Sequence, residues 1–112
     1  MEYDSYGTEY ELSFRRGHYQ DNNTLAVQIM CKEKNEDWYA PFCMLTVNLP
    51  TTKSLPDNRA YIDVNNCPKD LIQSLEEQGV IKKTLVSAPS GFCIYPLYEF
   101  SQEWLDKLSD IH

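Results

Sequence analysis

The sequence predicts a small α+β domain, a mainly antiparallel sheet of about five or six strands carrying two helices in the order ββββαββα. Three observations predict it. Segments 9–16 and 25–32 alternate apolar with polar side chains, the period of a strand with one buried face. Segment 68–78 carries apolar residues at helical spacing between a proline and a glycine. The 112 residues are 42% hydrophobic and 24% charged, the balance of an ordinary globular chain near the commonest single-domain size. We therefore read 9–112 as one α+β domain and 1–8 as an acidic N-terminal tail.

In chain order, Tyr10, Leu12 and Phe14 alternate with Glu9, Glu11, Ser13 and Arg15, which makes 9–16 the first strand. Gly17 to Thr24, centred on Asp21-Asn22-Asn23, is a loop or wide turn, because Asx side chains bond their own backbone. Leu25, Val27, Ile29 and Cys31 alternate with Ala26, Gln28, Met30 and Lys32 in a second strand that pairs with the first. A charged turn at 33–37 leads to a third strand, Phe42 to Leu49, with Cys43, Leu45, Val47 and Leu49 on one face and Pro41 at its start or on an edge. The aperiodic connection 50–58 contains Pro50 and Pro56, and Ala60 to Val64 is a short fourth strand ended by Asn65-Asn66.

Asn66 or Cys67 caps the first helix, Pro68 suits its first position and Gly79 its stop, with Leu71, Ile72 and Leu75 as the inward stripe. Val80 to Ala88 and Phe92 to Tyr95 are two short strands around Pro89-Ser90-Gly91, and Pro96 ends or bends the second. Ser101 then caps a terminal helix whose inner face is Trp104, Leu105, Leu108 and Ile111.

Formal charge is −7, and it gathers at the ends. Glu2, Asp4, Glu9 and Glu11 face no base within 1–13, and Glu99, Glu103, Asp106 and Asp110 face only Lys107 within 99–112, whereas the middle is neutral. Direct nucleic-acid binding is disfavoured, because it rests on clustered Lys and Arg that displace counterions. No stretch reaches the roughly 20 apolar residues of a membrane helix. The acidic start Met1-Glu2-Tyr3-Asp4 has neither the positive charge nor the following apolar stretch of a signal peptide. The expected location is the cytoplasm, with no membrane partner.

No motif of a catalytic centre stands out. His18 and His112 have no acid or cysteine at a catalytic spacing. Cys31, Cys43, Cys67 and Cys93 match no zinc-ligand spacing, and in a reducing compartment they read as small core hydrophobes. Cys67 is the one weak reactive-thiol candidate, because a helix N-terminus lowers a thiol pKa; the plainer reading of Asn66-Cys67-Pro68 is a cap sequence. Asp57, Asp63, Asn65 and Asn66 lack the Gly and terminal Glu of a calcium loop, and Ser90-Gly91 lacks the glycines and lysine of a phosphate loop. The expectation is no catalytic residue, no metal and no cofactor: not an enzyme.

Eight Tyr, four Phe and two Trp remain to be placed. Most rings belong in cores, but Tyr and Trp also favour interfaces. Tyr3, Tyr6, Glu9 and Glu11 at one end of the chain and Tyr98, Glu99 and Trp104 at the other are the candidate protein-binding residues, forming one acidic, aromatic face if the ends meet in space. An exposed edge strand or the aromatic C-terminal segment also leaves a homodimer open.

Three segments carry a resemblance: Thr46-Val47-Asn48-Leu49-Pro50, the run from Leu55 to Asn66, and the run from Ser90 to Phe100. Together they resemble a family of small bacterial proteins of unknown function, typically encoded on conjugative elements and phage-like islands of gut bacteria. The similarity runs from about Tyr10 to Leu108, and the last two segments are its most specific part. It implies no activity, only structure at the matching positions: a turn between strands, a helix cap and a Gly-dependent hairpin. It also implies a setting in which small acidic proteins bind and inhibit host defence proteins, anti-CRISPR and antirestriction proteins among them. The function expected first is a non-enzymatic accessory protein of a mobile element that binds another protein. An inhibitor of a nucleic-acid-handling defence enzyme, its acids competing for a basic groove, stands second, and a small thiol-dependent enzyme third.

Overall fold

The computed structural model describes residues 1–5, 7–49 and 55–111. Among them the strands number nine and form two antiparallel-built sheets in place of the single sheet predicted. The first sheet orders β1 (Glu2–Ser5), β2 (Thr8–His18), β3 (Leu25–Glu33) and β4 (Ala40–Met44), and β9 (Ser109–Asp110) runs parallel to β2 beside it. The second orders β5 (Thr46–Val47), β6 (Arg59–Ile62), β8 (Cys93–Phe100) and β7 (Ile81–Ser90). The helices are α1 (Lys69–Glu77) and α2 (Gln102–Leu105).

The alternating segments fold as their pattern asks. β2 and β3 pair antiparallel from Tyr10↔Glu33 to His18↔Leu25, with Leu12 and Phe14 facing Cys31 and Ile29 on the inner side. The stretch read as an acidic tail contains β1, which pairs Glu2↔Glu11 through Ser5↔Thr8.

The predicted third strand is broken in two. At Leu45 the chain leaves the first sheet and enters the second: the Leu45 N–H donates to Val27 O at 2.9 Å, and Leu45 O accepts from Asp63 N–H at 2.9 Å. Buried Thr46 completes the corner, its Oγ1 accepting from Val27 N–H at 3.0 Å and sharing a 3.0 Å hydrogen bond with the Tyr19 hydroxyl. The apolar–polar alternation of the sequence continues through the corner although Leu45 and Thr46 are both buried, which is why the period alone does not reveal it.

α1 stops at Gly79, which sits at φ +75°, a conformation that costs glycine little. Its start lies one residue later than expected: Pro68 takes the cap position with no side-chain cap bond, and the turn before it is held by Asp63, whose carboxylate accepts from Asn66. Leu71, Ile72 and Leu75 are buried as the stripe predicts. Each such aliphatic side chain contributes roughly 1.5–3 kcal/mol on burial. The terminal helix is shorter than expected. Ser101 caps it, accepting from Trp104 N–H at 3.3 Å, but it ends at Leu105. The chain then reaches the free edge of β2, where Ile111 N–H donates to Arg16 O at 2.9 Å and its side chain lies against Gly17. Backbone pairing with a neighbouring strand replaces further helical bonds there.

One hydrophobic cluster draws on both sheets and both helices, including Leu12, Val27, Ile29, Leu45, Ile62, Leu71, Leu75, Tyr98, Phe100 and Leu105. A smaller cluster of Leu49, Tyr61 and Leu97 lies apart from it, with Val47, Ala88 and Tyr95 packed alongside.

Candidate protein-contact surface

The hairpin of β7 and β8 is the longest in the second sheet, and on one face it outruns the main cluster, while Leu97, Tyr95 and Ala88 meet the smaller cluster on the other. Side chains at alternate positions of a strand share a face. Along one face of β8, Phe100 and Tyr98 lie in the main cluster and Pro96 is buried at its rim, but Ile94 is 66% exposed. The turn beyond places Phe92 fully in solvent. That turn pairs Ser90 with Cys93 across Gly91-Phe92, and only the first central residue, Gly91 at φ +61°, has positive φ, the pattern of a type II′ hairpin.

β7 carries a bulge opposite this face. Lys83 pairs with Tyr98 and Ser87 with Pro96, so Thr84, Leu85 and Val86 oppose Leu97 alone. The Thr84 hydroxyl replaces the missing ladder bonds, donating to Leu97 O at 2.9 Å and accepting from Val86 N–H at 3.1 Å. This bulge turns Leu85 fully outward and leaves Val86 49% exposed. It also explains Pro96: a residue without an N–H is tolerated in a strand where its partner strand bulges, so β8 continues to Phe100 where the sequence suggested a stop. Between the bulge and the hairpin end lies a groove of about 350 Å³, walled by Val64, Leu85, Val86, Ile94 and Pro96, with Lys83 at its margin.

A second set of exposed apolar side chains, Trp38, Tyr39 and Phe42, occupies the connection into β4. Trp38 is 82% exposed, Tyr39 lies under the Lys32 ammonium at 5.4 Å, and Phe42 is 6.3 Å from the ring of Tyr3. Because Tyr3 and Phe42 belong to the two outermost strands of the first sheet's main path, their contact requires that sheet to curl.

The residues expected to bind a partner are spread over different environments. Tyr3 is half-buried, its hydroxyl donating to Asp70 at 3.0 Å, and Tyr6 lies outside the described residues. Tyr98 is buried and donates to Glu76 at 2.9 Å; burial first, then that bond, pushes its pKa up to about 12. Trp104 is half-buried between Phe14 at 5.2 Å and Phe100 at 6.2 Å. Glu99 occupies a central position in the second sheet, with Arg59 and Lys82 as its register partners on either side.

Glu9 and Glu11 are exposed on β2. Glu9 meets Lys34 at 2.8 Å, which lowers its pKa and raises that of Lys34, and Glu11 meets Lys32 at 3.4 Å. The two chain ends do come to one edge: β1 and β9 both line the same side of β2, at opposite ends of it. Bases accompany the acids there as well, with Arg16 3.8 Å from Asp106 and Lys107 3.7 Å from Glu103. An open polar depression of about 480 Å³ at Asp4, Gly7, Thr8, Glu9, Glu33 and Lys34 belongs to this same charged face.

Cys67 is buried, and its thiol is raised, not lowered as its position before a helix suggested: its hydrogen bond with Cys43 is the largest cause and burial the next. Its Sγ lies 3.4 Å from Cys43 Sγ and 3.2 Å from Met44 O. Among the described residues no group of three or more His, Cys, Asp or Glu side chains is arranged to hold a metal. No helix among them is long and apolar enough to cross a membrane.

The fold and this surface define an α+β domain of two sheets whose second sheet ends in an exposed apolar hairpin. The family described as a domain of unknown function (DUF4313) matches residues 14–112, and the chain belongs to it. No curated protein and no solved structure matches the chain.

Proposed function

We propose that this domain is a non-enzymatic accessory protein that acts by binding another protein, with the apolar end of the β7–β8 hairpin as its contact surface. The observation that carries this reading is the exposure of Leu85 and Val86 at the bulge midway along β7 and of Phe92 and Ile94 at the turn end of the same hairpin. A globular domain seldom leaves a contiguous apolar patch in water unless something covers it. A protein anchor that inserts an apolar side chain into the groove beside Ile94 removes that patch from solvent, and Lys83 at the margin favours acidic groups around the anchor. The sequence resemblance to proteins of conjugative and phage-like elements supports an accessory role in a mobile element.

The second reading, an inhibitor that offers its acids to the basic groove of a nucleic-acid-handling defence enzyme, is favoured by the convergence of β1 and β9 on one edge of β2. It is the weaker of the two because Lys32, Lys34, Arg16 and Lys107 stand beside those acids and offset the field an array of phosphates would present.

The test is capture of partners by the tagged protein from a bacterial lysate, with and without nuclease and at low and high salt. A stoichiometric partner that survives nuclease and high salt supports apolar contact. Capture that salt abolishes supports the acidic inhibitor instead, and no specific capture under any condition counts against both.

A further inference from the structure

Outside the surface described above, one pair of nucleophiles meets across elements far apart in the chain. Cys43 stands on β4 of the first sheet, and Cys67 ends the turn before α1, where its N–H donates to Asp63 O at 3.0 Å. Their sulfur atoms are 3.4 Å apart, in van der Waals contact, with both side chains already turned toward one another. A disulfide needs a separation of about 2 Å. We propose that Cys43 and Cys67 form a dithiol site that small hydroperoxides oxidise to an intramolecular disulfide.

The two thiols differ in the way such a site needs. Cys43 is half-buried, so a small oxidant reaches it, and the Cys67 S–H, shared with Met44 O at 3.2 Å, lowers its pKa by stabilising the thiolate. Cys67 is buried behind it. The Cys43 thiolate attacks the terminal oxygen of the peroxide, the O–O bond breaks, and the departing hydroxide, or alkoxide from an organic hydroperoxide, takes a proton from solvent as water or alcohol, leaving Cys43 a sulfenic acid. The Cys67 sulfur then attacks the Cys43 sulfur. The S–O bond breaks, the Cys67 proton leaves with the hydroxide as a second water, and the disulfide is complete. The two thiols lose two electrons and the peroxide gains them, so no other reactant enters.

The largest cause of the raised Cys67 thiol is its bond to Cys43, and sulfenylation of Cys43 removes the anion at the other end of that bond. Burial and Asp63 still hold the thiol up, but its deprotonation becomes easier at the step that requires it. Cys31, half-buried on β3, has its thiol raised chiefly by burial and is the less reactive neighbour. Cys93, near the hairpin end, serves as the internal control.

The bridge ties β4 to the base of α1 and encloses the Leu45 corner, β5 and β6. Closing a loop of this length raises the thermal midpoint by roughly 5 °C or more.

The experiment exposes the reduced full-length protein to hydrogen peroxide, blocks remaining thiols with N-ethylmaleimide, and maps the digested peptides by mass spectrometry. The expected result is a peptide pair joined through Cys43 and Cys67, reversed by dithiothreitol and accompanied by the rise in thermal midpoint, while Cys31 and Cys93 remain alkylated. Cys67→Ser then traps Cys43 as a sulfenic acid that dimedone labels, and Cys43→Ser leaves Cys67 a free thiol after the same exposure. Mapping of the unsubstituted chain decides the matter even if a variant fails to fold. Absence of the joined pair at peroxide levels that already oxidise Cys93, or a bridge from Cys43 to Cys31 in its place, overturns the site.

Discussion

Phe100 and Phe92 lie eight residues apart on the same hairpin, yet one is the largest fully buried side chain among the described residues and the other stands wholly in water. Around Phe100 the second sheet is backed by Trp104 and by the bulk of the main cluster, so β8 is closed over on that face. At the other end of the strand the same face has as neighbours Val64, itself partly buried against the main cluster, and the bulged Leu85 and Val86, which are open to solvent. The hairpin therefore does two jobs along its length. Its base closes the fold; toward the turn one face packs Ala88 and Tyr95 on the smaller cluster, while Ile94 and Phe92 add little to stability and are left available to a partner.

The comparison is broken most directly by substituting both ends. Phe100→Ala removes a packed ring and should lower stability by roughly 3–5 kcal/mol, measured by urea denaturation, whereas Phe92→Ser should stay within about 0.5 kcal/mol. Comparable losses at the two positions would mean that the hairpin end is packed after all.

A smaller effect sharpens the contrast at the corner between the sheets. Thr46→Val keeps the side-chain shape but leaves the Val27 N–H without its acceptor, and the expected loss is roughly 1–3 kcal/mol in the same assay.

Smaller again is Tyr98→Phe, which removes the hydrogen bond to Glu76 and should cost roughly 1 kcal/mol. The native environment raises the Tyr98 pKa from 10.0 to about 12, favouring the neutral phenol. Its contribution is therefore complete below about pH 10 and is lost as pH rises through about 12. Across that window the unfolding midpoint of the wild type should fall toward and then below that of Tyr98→Phe, because an ionised phenol bears a burial cost that the variant lacks. A constant gap would show that the phenol is not held neutral by the fold.

The least effect is expected at Glu9. Glu9→Gln breaks the exposed pair with Lys34 and should not move the unfolding midpoint measurably. Nor should it change capture of an apolar-bound partner, and a loss of capture here would point to the charged edge in place of the hairpin.

Much of the fold was legible because local period and burial agree. The alternation from Tyr10 to Arg15 is repeated in β2, whereas in β3 Ala26 and Met30 are buried as well as Leu25, Val27 and Ile29; Pro68, the Leu71-Ile72-Leu75 stripe and Gly79 bound α1 to within a residue. The division into two sheets was hidden, because Leu45 sits in an unbroken alternation and only its partners Val27 and Asp63, distant in sequence, show where the chain changes sheet. Pro96 suggested a strand end, since its tolerance depends on a bulge in β7 that Thr84 stabilises through its own hydroxyl.

The contact surface was harder to see. Tyr98 and Trp104 drew attention through their acidic neighbours, but burial follows the inward face of β8 and the Phe14 and Phe100 rings. Leu85, Val86 and Ile94 look like ordinary strand residues until the length of the hairpin is set against the size of the core. A run of apolar residues extending past the last helix-backed position, next to a Thr that can substitute for ladder bonds, was the signal available. The Cys43 and Cys67 pair left no local trace, being separated by 24 positions and brought together by the corner.

The most direct test of the central claim compares wild type with a Leu85→Ser/Phe92→Ser double variant in one capture experiment, with urea denaturation of the same preparations. Loss of the partner with an unchanged unfolding midpoint is the result expected if the hairpin end is the contact surface. Undiminished capture by a folded double variant would contradict it.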